Sequence, residues 1–480
     1  MFFYCTWMLV MDCRFVGVLY MFLSILGGCL GFGFSVQMRG ELLYPFSVYG
    51  DEIFYVCITA HAVLMVFFFL TTLATGFSNF FIPGMFGVVD FFFPRLNSLS
   101  FWMVLLSGLF LVFSLLVGNG VSTGWTAYPP LSNYGFSEGG SIEMFIMAVH
   151  LFTVSTVLSS INIICTVFYS KLYYLDWLDV SVYVWSIVVT SFLNVASLPY
   201  FSSSVTMLFL DRNFNCVFFD PSYGGDPLLY QSLFWFWGHP EVYILIIPVF
   251  GLVALIMCNL LDVEYLFGSY CMVISIMSVS VLGFIVWGHH MVTVGWSLDI
   301  RVFFMVATVV ISLPTGLKVF NWICSVYFYL VKDLLLEICY YYIFSFVVVF
   351  IFGGVTGVML ANSTLDVIFH DSYFVVGHFH YILSLAAVSG YFCLFYYSWG
   401  SIIGGGDIDF TFGIIHLGLF MSSANVCFFP FHLLGLAGLP RRVSCYPEVF
   451  FPSFYFSSCG FLFVALSVFV FFSGILYSIN

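Results

Sequence analysis

The property that most constrains this chain is its near-absence of charge. Of 480 residues only 7% are Asp, Glu, Lys or Arg, while 62% are hydrophobic and 64 are Phe. A soluble domain carries about a quarter charged residues, so this chain cannot clothe its apolar mass in a water-facing surface. Apolar runs of ~20 residues, enough to cross a hydrocarbon layer, recur along it with short polar breaks between them. The chain reads as an all-α integral membrane protein, a bundle of twelve transmembrane helices. The runs lie near 15–36, 53–82, 98–118, 142–169, 181–206, 229–258, 266–287, 298–325, 335–359, 370–398, 410–430 and 449–475.

The breaks carry turn chemistry, as in Gly224-Gly225-Asp226-Pro227 and Gly404-Gly405-Gly406-Asp407. With no fixed-period repeat and no long linker, residues 1–480 are expected to form a single domain. No small-residue cleavage site follows the apolar start, which therefore reads as mature chain. The net charge of −13 gathers into no basic patch, which argues against nucleic-acid binding. The 14 cysteines are scattered without a CxxC pair and read as buried free thiols. Cationic residues fall on both sides, with Arg14, Arg95, Lys171 and Lys332 on one and Arg39, Arg212, Arg301, Arg441 and Arg442 on the other. The positive-inside rule gives no orientation from such a balance.

Against this background six histidines stand out: His61, His239, the pair His289-His290, and His378 with His380. Ionisable groups inside a bilayer are costly and usually functional. Span parity places His61, His239 and His378 about eight to ten residues into spans two, six and ten, ~12–15 Å deep from one face. Span seven runs the other way and is expected to end at His289-His290, near that same face. His150 shares the depth but has no polar motif beside it.

Successive helical residues turn by 100°, so His378 and His380 point about 200° apart and cannot share a metal. They can each hold one on opposite faces of the same helix, as two flanking haems would require. His61 is then available as the second axial ligand of one of them. A haem with two His ligands suits electron transfer, and one with a single His keeps a position open for a small ligand. Tyr243 lies four residues after His239, on the same helical face. His239, His289 and His290 offer three neutral imidazoles, which suit copper or zinc. Glu241 and Lys318 are ionisable groups within spans, with Thr315 one turn from Lys318, and Asp90 lies in the loop after span two; together they suggest a proton relay. Blander readings stand beside these. His378 and His380 could be interhelical hydrogen bonders, the three histidines a structural zinc site, Asp90 a solvated loop charge, and Glu241 with Lys318 a structural pair.

Ten sequence runs carry a resemblance. They are RGEL (39–42), TAH (59–61), DFFFPRLN (90–97), TGWTAYPPL (123–131), DRNFN (211–215), FWFWGHPEVYILIIPVFG (234–251), WGHHMVTVG (287–295), LPTGLKVFNW (313–322), HDSYFVVGHFHYILS (370–384) and LPRRVSCYP (439–447). With these the chain resembles subunit I of the haem-copper oxidases over nearly its whole length, in particular the mitochondrial enzymes that oxidise cytochrome c.

The resemblance implies that His61 and His380 bind low-spin haem a, that His378 binds haem a3, and that His239, His289 and His290 hold CuB. Tyr243 would be crosslinked to His239. Glu241 would branch a proton path entered at Asp90 and lined by Asn79, Asn97, Ser155 and Thr156. Lys318 and Thr315 would form a second path towards Tyr243. His370 and Asp371 would hold Mg2+ shared with subunit II. Arg441, Arg442, Asp366 and Trp125 would surround the haem propionates, Arg39 would meet the haem a formyl group, and Glu41 would belong to a peripheral Ca2+/Na+ site. The loop after Glu41 (LLYPFSVYG) departs from the family pattern there.

The implied partners are O2, cytochrome c, subunits II and III, accessory subunits and membrane lipid. The implied location is the mitochondrial inner membrane, with a bacterial plasma membrane as the alternative. A quinol oxidase is the nearest rival, disfavoured because Ile53 and Val56 stand where polar residues would hold the quinol. A nitric oxide reductase lacks a reason for Tyr243 beside His239. A metal-free ion transporter would use Glu241 and Lys318 but leave the opposed His378 and His380 unexplained.

Overall fold

The computed structural model describes residues 12–170, 176–329, 337–403 and 405–479; Lys171, Lys332 and Gly404 lie outside them. In hydrocarbon every backbone N–H and C=O must find a partner within the protein, and a helix supplies all of them locally. Among the described residues, eleven helices are long and apolar enough to cross a membrane. Numbered with one shorter helix in chain order, they begin with α1 (Cys13–Glu41), α2 (Asp51–Met85), α3 (Pro94–Leu116), α4 (Ser141–Ser170), α5 (Val182–Phe214) and α6 (Pro227–Leu260). They continue with α7 (Ser269–Gly283), α8 (Leu298–Tyr329), α9 (Ile338–Ala361), α10 (Tyr373–Ile402), α11 (Phe410–Leu436) and α12 (Glu448–Ile479).

The expected all-helical class is therefore observed, but not twelve full spans. The seventh, α7, has only 15 residues, about 22 Å at 1.5 Å each and short of a ~30 Å core. His289 and His290 do not end that helix. They sit beyond it, in the separate 3-10 turn Trp287–Met291. Gly288 holds this turn, because a Cβ there would collide with the rings of Phe304 and Trp296. The tenth span also starts later than its apolar run. The short helix Ser363–Phe369, capped by Asn362 on the N–H groups of Thr364 and Leu365, precedes it. Asp371 then turns with φ 55 and Ser372 caps α10. His378 thus stands five residues after Tyr373, where α10 begins, rather than eight to ten into the span.

The chain divides into two compact units. The first comprises the chain to Glu41, Ser47–Val180 and Ile187–Leu245; the second comprises Leu42–Phe46, Ser181–Ser186 and Ile246 onward. Within the first, α1 and α2 approach through glycine: a Cβ on Gly17 would lie 2.8 Å from the Gly76 carbonyl oxygen, and one on Gly27 would lie 2.8 Å from the Phe68 Cβ. Small residues allow such approach where lipid removes the hydrophobic drive between helices. Ser107 Oγ on α3 donates to the Ala148 carbonyl on α4 at 2.6 Å. Arg212, buried on α5, donates to both oxygens of Glu143 and to the carbonyls of Ser132, Ser137 and Gly139.

Within the second unit α11 and α12 pack closely. A Cβ on Gly460 would stand 2.6 Å from Cys427 N, and Ser457 Oγ donates to the Cys427 carbonyl at 2.5 Å. Gly435 on α11 lies against the main chain of Phe374 on α10, with no room for a Cβ. Two spans change pitch: α2 is π-helical over Leu64–Thr71 and α10 over Tyr381–Ala387.

A pair of glycine substitutions on α11 tests this packing. Gly435→Ala should cost about 1–3 kcal/mol, as overpacking does. Gly418→Ala, where a Cβ would meet nothing within 4 Å, should shift stability by no more than about 1 kcal/mol. Thermal unfolding of the purified complex, followed by circular dichroism, measures both. Equal midpoints for the two variants would refute the close approach of α10 and α11.

Candidate metal centre

In the first unit His61 lies on α2, ten residues after its first residue, Asp51. Its Nδ1 is 2.9 Å from the Gly31 carbonyl of α1. A carbonyl only accepts, so Nδ1 carries the proton and Nε2 keeps its lone pair for a metal. Metal-bound histidines are held in this way. His150 is the contrast. Its Nδ1 bonds the Ile146 carbonyl at 2.8 Å and its Nε2 bonds Thr206 Oγ1 at 2.9 Å, so both nitrogens serve structure. His239 is buried on α6, and its ring lies edge-on to Tyr243 with centroids 4.6 Å apart. Trp125 packs edge-to-face against Phe234, Trp235 and Trp237.

The same unit collects most of the polar side chains expected to carry protons. Asn97 Nδ2 donates to Asn79 Oδ1 at 2.6 Å. Ser155 donates to the Ser100 carbonyl, and the Ser100 hydroxyl pairs with Tyr20 at 2.8 Å. Thr156 bonds back to Phe152 in its own helix. Glu241 is buried on α6 with Thr71 Oγ1 3.5 Å away. Asp90 occupies the loop after α2 and accepts from Phe91 N at 2.7 Å. Burial raises its carboxyl above the ordinary range, opposed by the Phe91 N–H and the neighbouring Cys13 thiol.

In the second unit His378 Nδ1 lies 2.9 Å from the Gly353 carbonyl of α9 and 3.1 Å from Thr356 Oγ1. His380 Nδ1 lies 2.8 Å from the Val376 carbonyl, and its ring stacks on Phe428 of α11 with centroids 4.5 Å apart. The two rings turn to different helices, as their spacing requires. His289 Nδ1 lies 3.0 Å from Thr308 Oγ1, whose proton goes to the Phe304 carbonyl at 2.6 Å. His289 therefore donates to Thr308 through Nδ1. Its Nε2 lone pair points at His290 Nε2, 3.1 Å away. That spacing fits two imidazoles on one metal, which stand ~2.0–2.1 Å from it.

Lys318 is 1% exposed on α8, with Nζ 4.1 Å from the centre of the Phe250 ring and no hydrogen-bond partner among the described residues. The Thr315 hydroxyl turns instead to the Ile311 carbonyl. Further out, His370 Nδ1 lies 3.2 Å from Asp366 Oδ2, its Nε2 lies 3.8 Å from Asp371 Oδ2, and Arg441 pairs with Asp371. The strand-like contact of Tyr373 N with the Leu439 carbonyl and of Arg441 N with the Asp371 carbonyl holds this group together. Burial raises the Asp366 carboxyl, and the His370 partner opposes it. Arg442 follows in the same turn with φ 62.

Arg39 stands in the last turn of α1. Glu41, two residues on, does not fit the expected Ca2+/Na+ site. One of its oxygens accepts from Ser47 Oγ at 2.6 Å and Val48 N at 3.1 Å, and the other from Tyr49 N at 2.7 Å. The divergent loop thus closes on the carboxylate through three donors.

Sequence reasoning missed the residues that orient the histidines: Gly31, Gly353, Thr308 and Thr356. It also missed Tyr20, Ser100 and Thr71. The adjacent threonines 71 and 72 in an otherwise apolar run were the one signal available.

A membrane-type helical chain that fixes imidazole Nδ1 atoms by hydrogen bonds on three helical segments, α2, the Trp287–Met291 turn and α10, has the donor set of a metal-binding membrane protein. A sequence profile described as cytochrome c and quinol oxidase polypeptide I matches residues 15–475. The chain belongs to this family, the subunit I proteins of the haem-copper oxidases. It is similar to cytochrome c oxidase subunit 1 of Candida albicans, 39% identical over 468 residues, 97% of this chain and 87% of the relative. The same subunit of Eremothecium gossypii is 40% identical over 469 residues, again 97% and 87% of the two chains. Among solved structures, a haem-copper terminal oxidase dimer shares the fold with a TM-score of 0.81 at 16% identity, covering 97% of this chain and 84% of that one. Family membership brings haem and a histidine-bound copper, and the Nδ1 anchors fit both.

Gly377 offers a direct test of the histidine supports. A Cβ there would lie 2.8 Å from Cε1 and Nδ1 of the buried His432 ring, whereas one on Gly354 would meet nothing within 4 Å. Gly377→Ala should lower haem content relative to protein in the purified complex, measured as the pyridine haemochrome, while Gly354→Ala should leave it unchanged. Full haem in both variants would mean that α10 is not held where its histidines need it.

Proposed function

We propose that this chain is the catalytic subunit of a terminal oxidase that reduces O2 to water with electrons from cytochrome c, coupled to proton translocation. Electrons would arrive through CuA of subunit II and haem a. The observation that carries the reading is the common anchoring of His61, His378 and His380 by Nδ1 on main-chain carbonyls, together with the 3.1 Å approach of the His289 and His290 Nε2 atoms to each other.

His61 and His380 would hold haem a and His378 haem a3, with His239, His289 and His290 on CuB. When bound, these groups supply the electron transfer and the O2-binding position. The protein's own part is to orient them and to bring protons. Tyr243, edge-on to His239, would give a proton and, once crosslinked, an electron. Asp90 keeps its proton to a higher pH than a solvated carboxylate, which suits a group that collects protons at a path mouth. Asn79, Asn97, Ser155 and Thr156 would pass them to Glu241, and Lys318 with Thr315 would serve a second path. His370 and Asp371 would hold Mg2+, the half-exposed Asp371 carboxylate facing outward for a ligand from subunit II. Arg441, Arg442, Asp366 and Trp125 would surround the haem propionates, and Arg39 the haem a formyl group.

The whole chain would act as one subunit I domain of the mitochondrial inner membrane, with subunits II and III and accessory subunits as neighbours. The curated relatives favour cytochrome c over quinol as donor, and Ile53 and Val56 offer no polar partner to a quinol headgroup.

The first experiment is an optical spectrum of the detergent-purified complex, reduced with dithionite and then exposed to CO. Two haem A signals, only one of them moved by CO, are expected from one saturated and one open haem. Haem bands lacking A-type positions would return the donor question to quinol, and no haem at all would end the oxidase reading. The second is Tyr243→Phe, which should abolish O2 consumption while both haems remain bound; near-normal turnover would remove Tyr243 from the chemistry.

A further inference from the structure

The helix that carries His61 is π-helical over Leu64–Thr71. A π turn holds an extra residue and leaves carbonyls outside the regular ladder. Two hydroxyls answer for this: Thr71 Oγ1 donates to the Val66 carbonyl at 2.9 Å and Thr72 Oγ1 to the Phe67 carbonyl at 2.8 Å, each five residues back. The two threonines differ in what else they meet. Thr71 Oγ1 lies 3.5 Å from Glu241 Oε1 on α6, whereas Thr72 reaches no second side chain among the described residues.

Thr71 and Glu241 are 6% and 3% exposed. A carboxyl so buried needs a polar partner in either protonation state. The Trp237 indole also borders it, but Trp237 Nε1 makes no hydrogen bond among the described residues. A hydroxyl can accept as well as donate. The Thr71 hydroxyl donates to the Val66 carbonyl and also faces the Glu241 carboxyl. At 3.5 Å the contact is the long arm of a shared hydrogen bond whose short arm is the Val66 carbonyl.

We propose that Thr71 is a positioning residue for the Glu241 carboxyl, set in place by the π segment of α2. The proposal rests on the reading of Glu241 as the branching carboxylate of proton uptake.

The test compares Thr71→Val, Thr71→Ser and Thr72→Val in the assembled oxidase, with Glu241→Gln to identify the carboxyl's C=O band in the infrared redox difference spectrum. In Thr71→Val, at normal haem content, that band should move to higher frequency and turnover should fall about ten- to a hundredfold, the weight of one hydrogen bond to a charged group. Thr71→Ser should restore both. Thr72→Val, which loses the same kind of π-carbonyl bond, should leave the band in place. An unmoved band in Thr71→Val, or an equal shift in Thr72→Val, overturns the proposal. Should Thr71→Val fail to assemble, a band displaced from the wild-type position in Thr71→Ser overturns it as well. If Glu241→Gln turns over and pumps normally, it is the role of Glu241 that fails, whatever Thr71 does.

Discussion

The arrangement depends on a hydrogen bond that is easy to overlook: the one from an imidazole Nδ1 to a main-chain carbonyl. His61, His378 and His380 each make it, to the carbonyls of Gly31, Gly353 and Val376 respectively. It settles the tautomer, since a carbonyl can only accept, and so turns a side chain with two possible lone pairs into one with a single directed donor atom. In a bilayer, where charge is scarce and water absent, that is an economical way to prepare a metal ligand. His150 shows the alternative outcome. With a partner on each nitrogen it has no lone pair left to offer.

The second theme is that helical regularity is broken where chemistry is expected. The π segments of α2 and α10 begin three residues after His61 and immediately after His380. The pair His289-His290 lies beyond α7 in the 3-10 turn Trp287–Met291. In that turn the Nε2 atoms of His289 and His290 come within 3.1 Å. Interruptions of this kind are tolerated at membrane depth only when protein groups take up the freed carbonyls, as Thr71 and Thr72 do in α2.

Much of this was legible in the sequence because the signals are periodic and local. The hydropathy runs located the helices, and the two-residue spacing of His378 and His380 required two different neighbours, which α9 and α11 supply. The four-residue spacing of His239 and Tyr243 placed their rings together. The shortness of α7 was not legible, because an apolar run continues through Phe284, Ile285 and Val286 after the helix has ended. Nor was the fate of Glu41, whose carboxylate is claimed by Ser47, Val48 and Tyr49 through loop geometry that composition does not encode.

The sequence by itself determined the solvent, the helical class and the inventory of ligands, because lipid permits few backbone solutions and the apolar runs and histidine spacings are local facts. Only the tertiary structure decided which nitrogen of each histidine is available, which hydroxyl faces Glu241, and that Glu41 closes a loop rather than presenting a bare anion. Those outcomes turn on single carbonyls and hydroxyls contributed by other segments, at distances of about 3 Å, and no periodicity in one strand of text reports where another segment will place an oxygen.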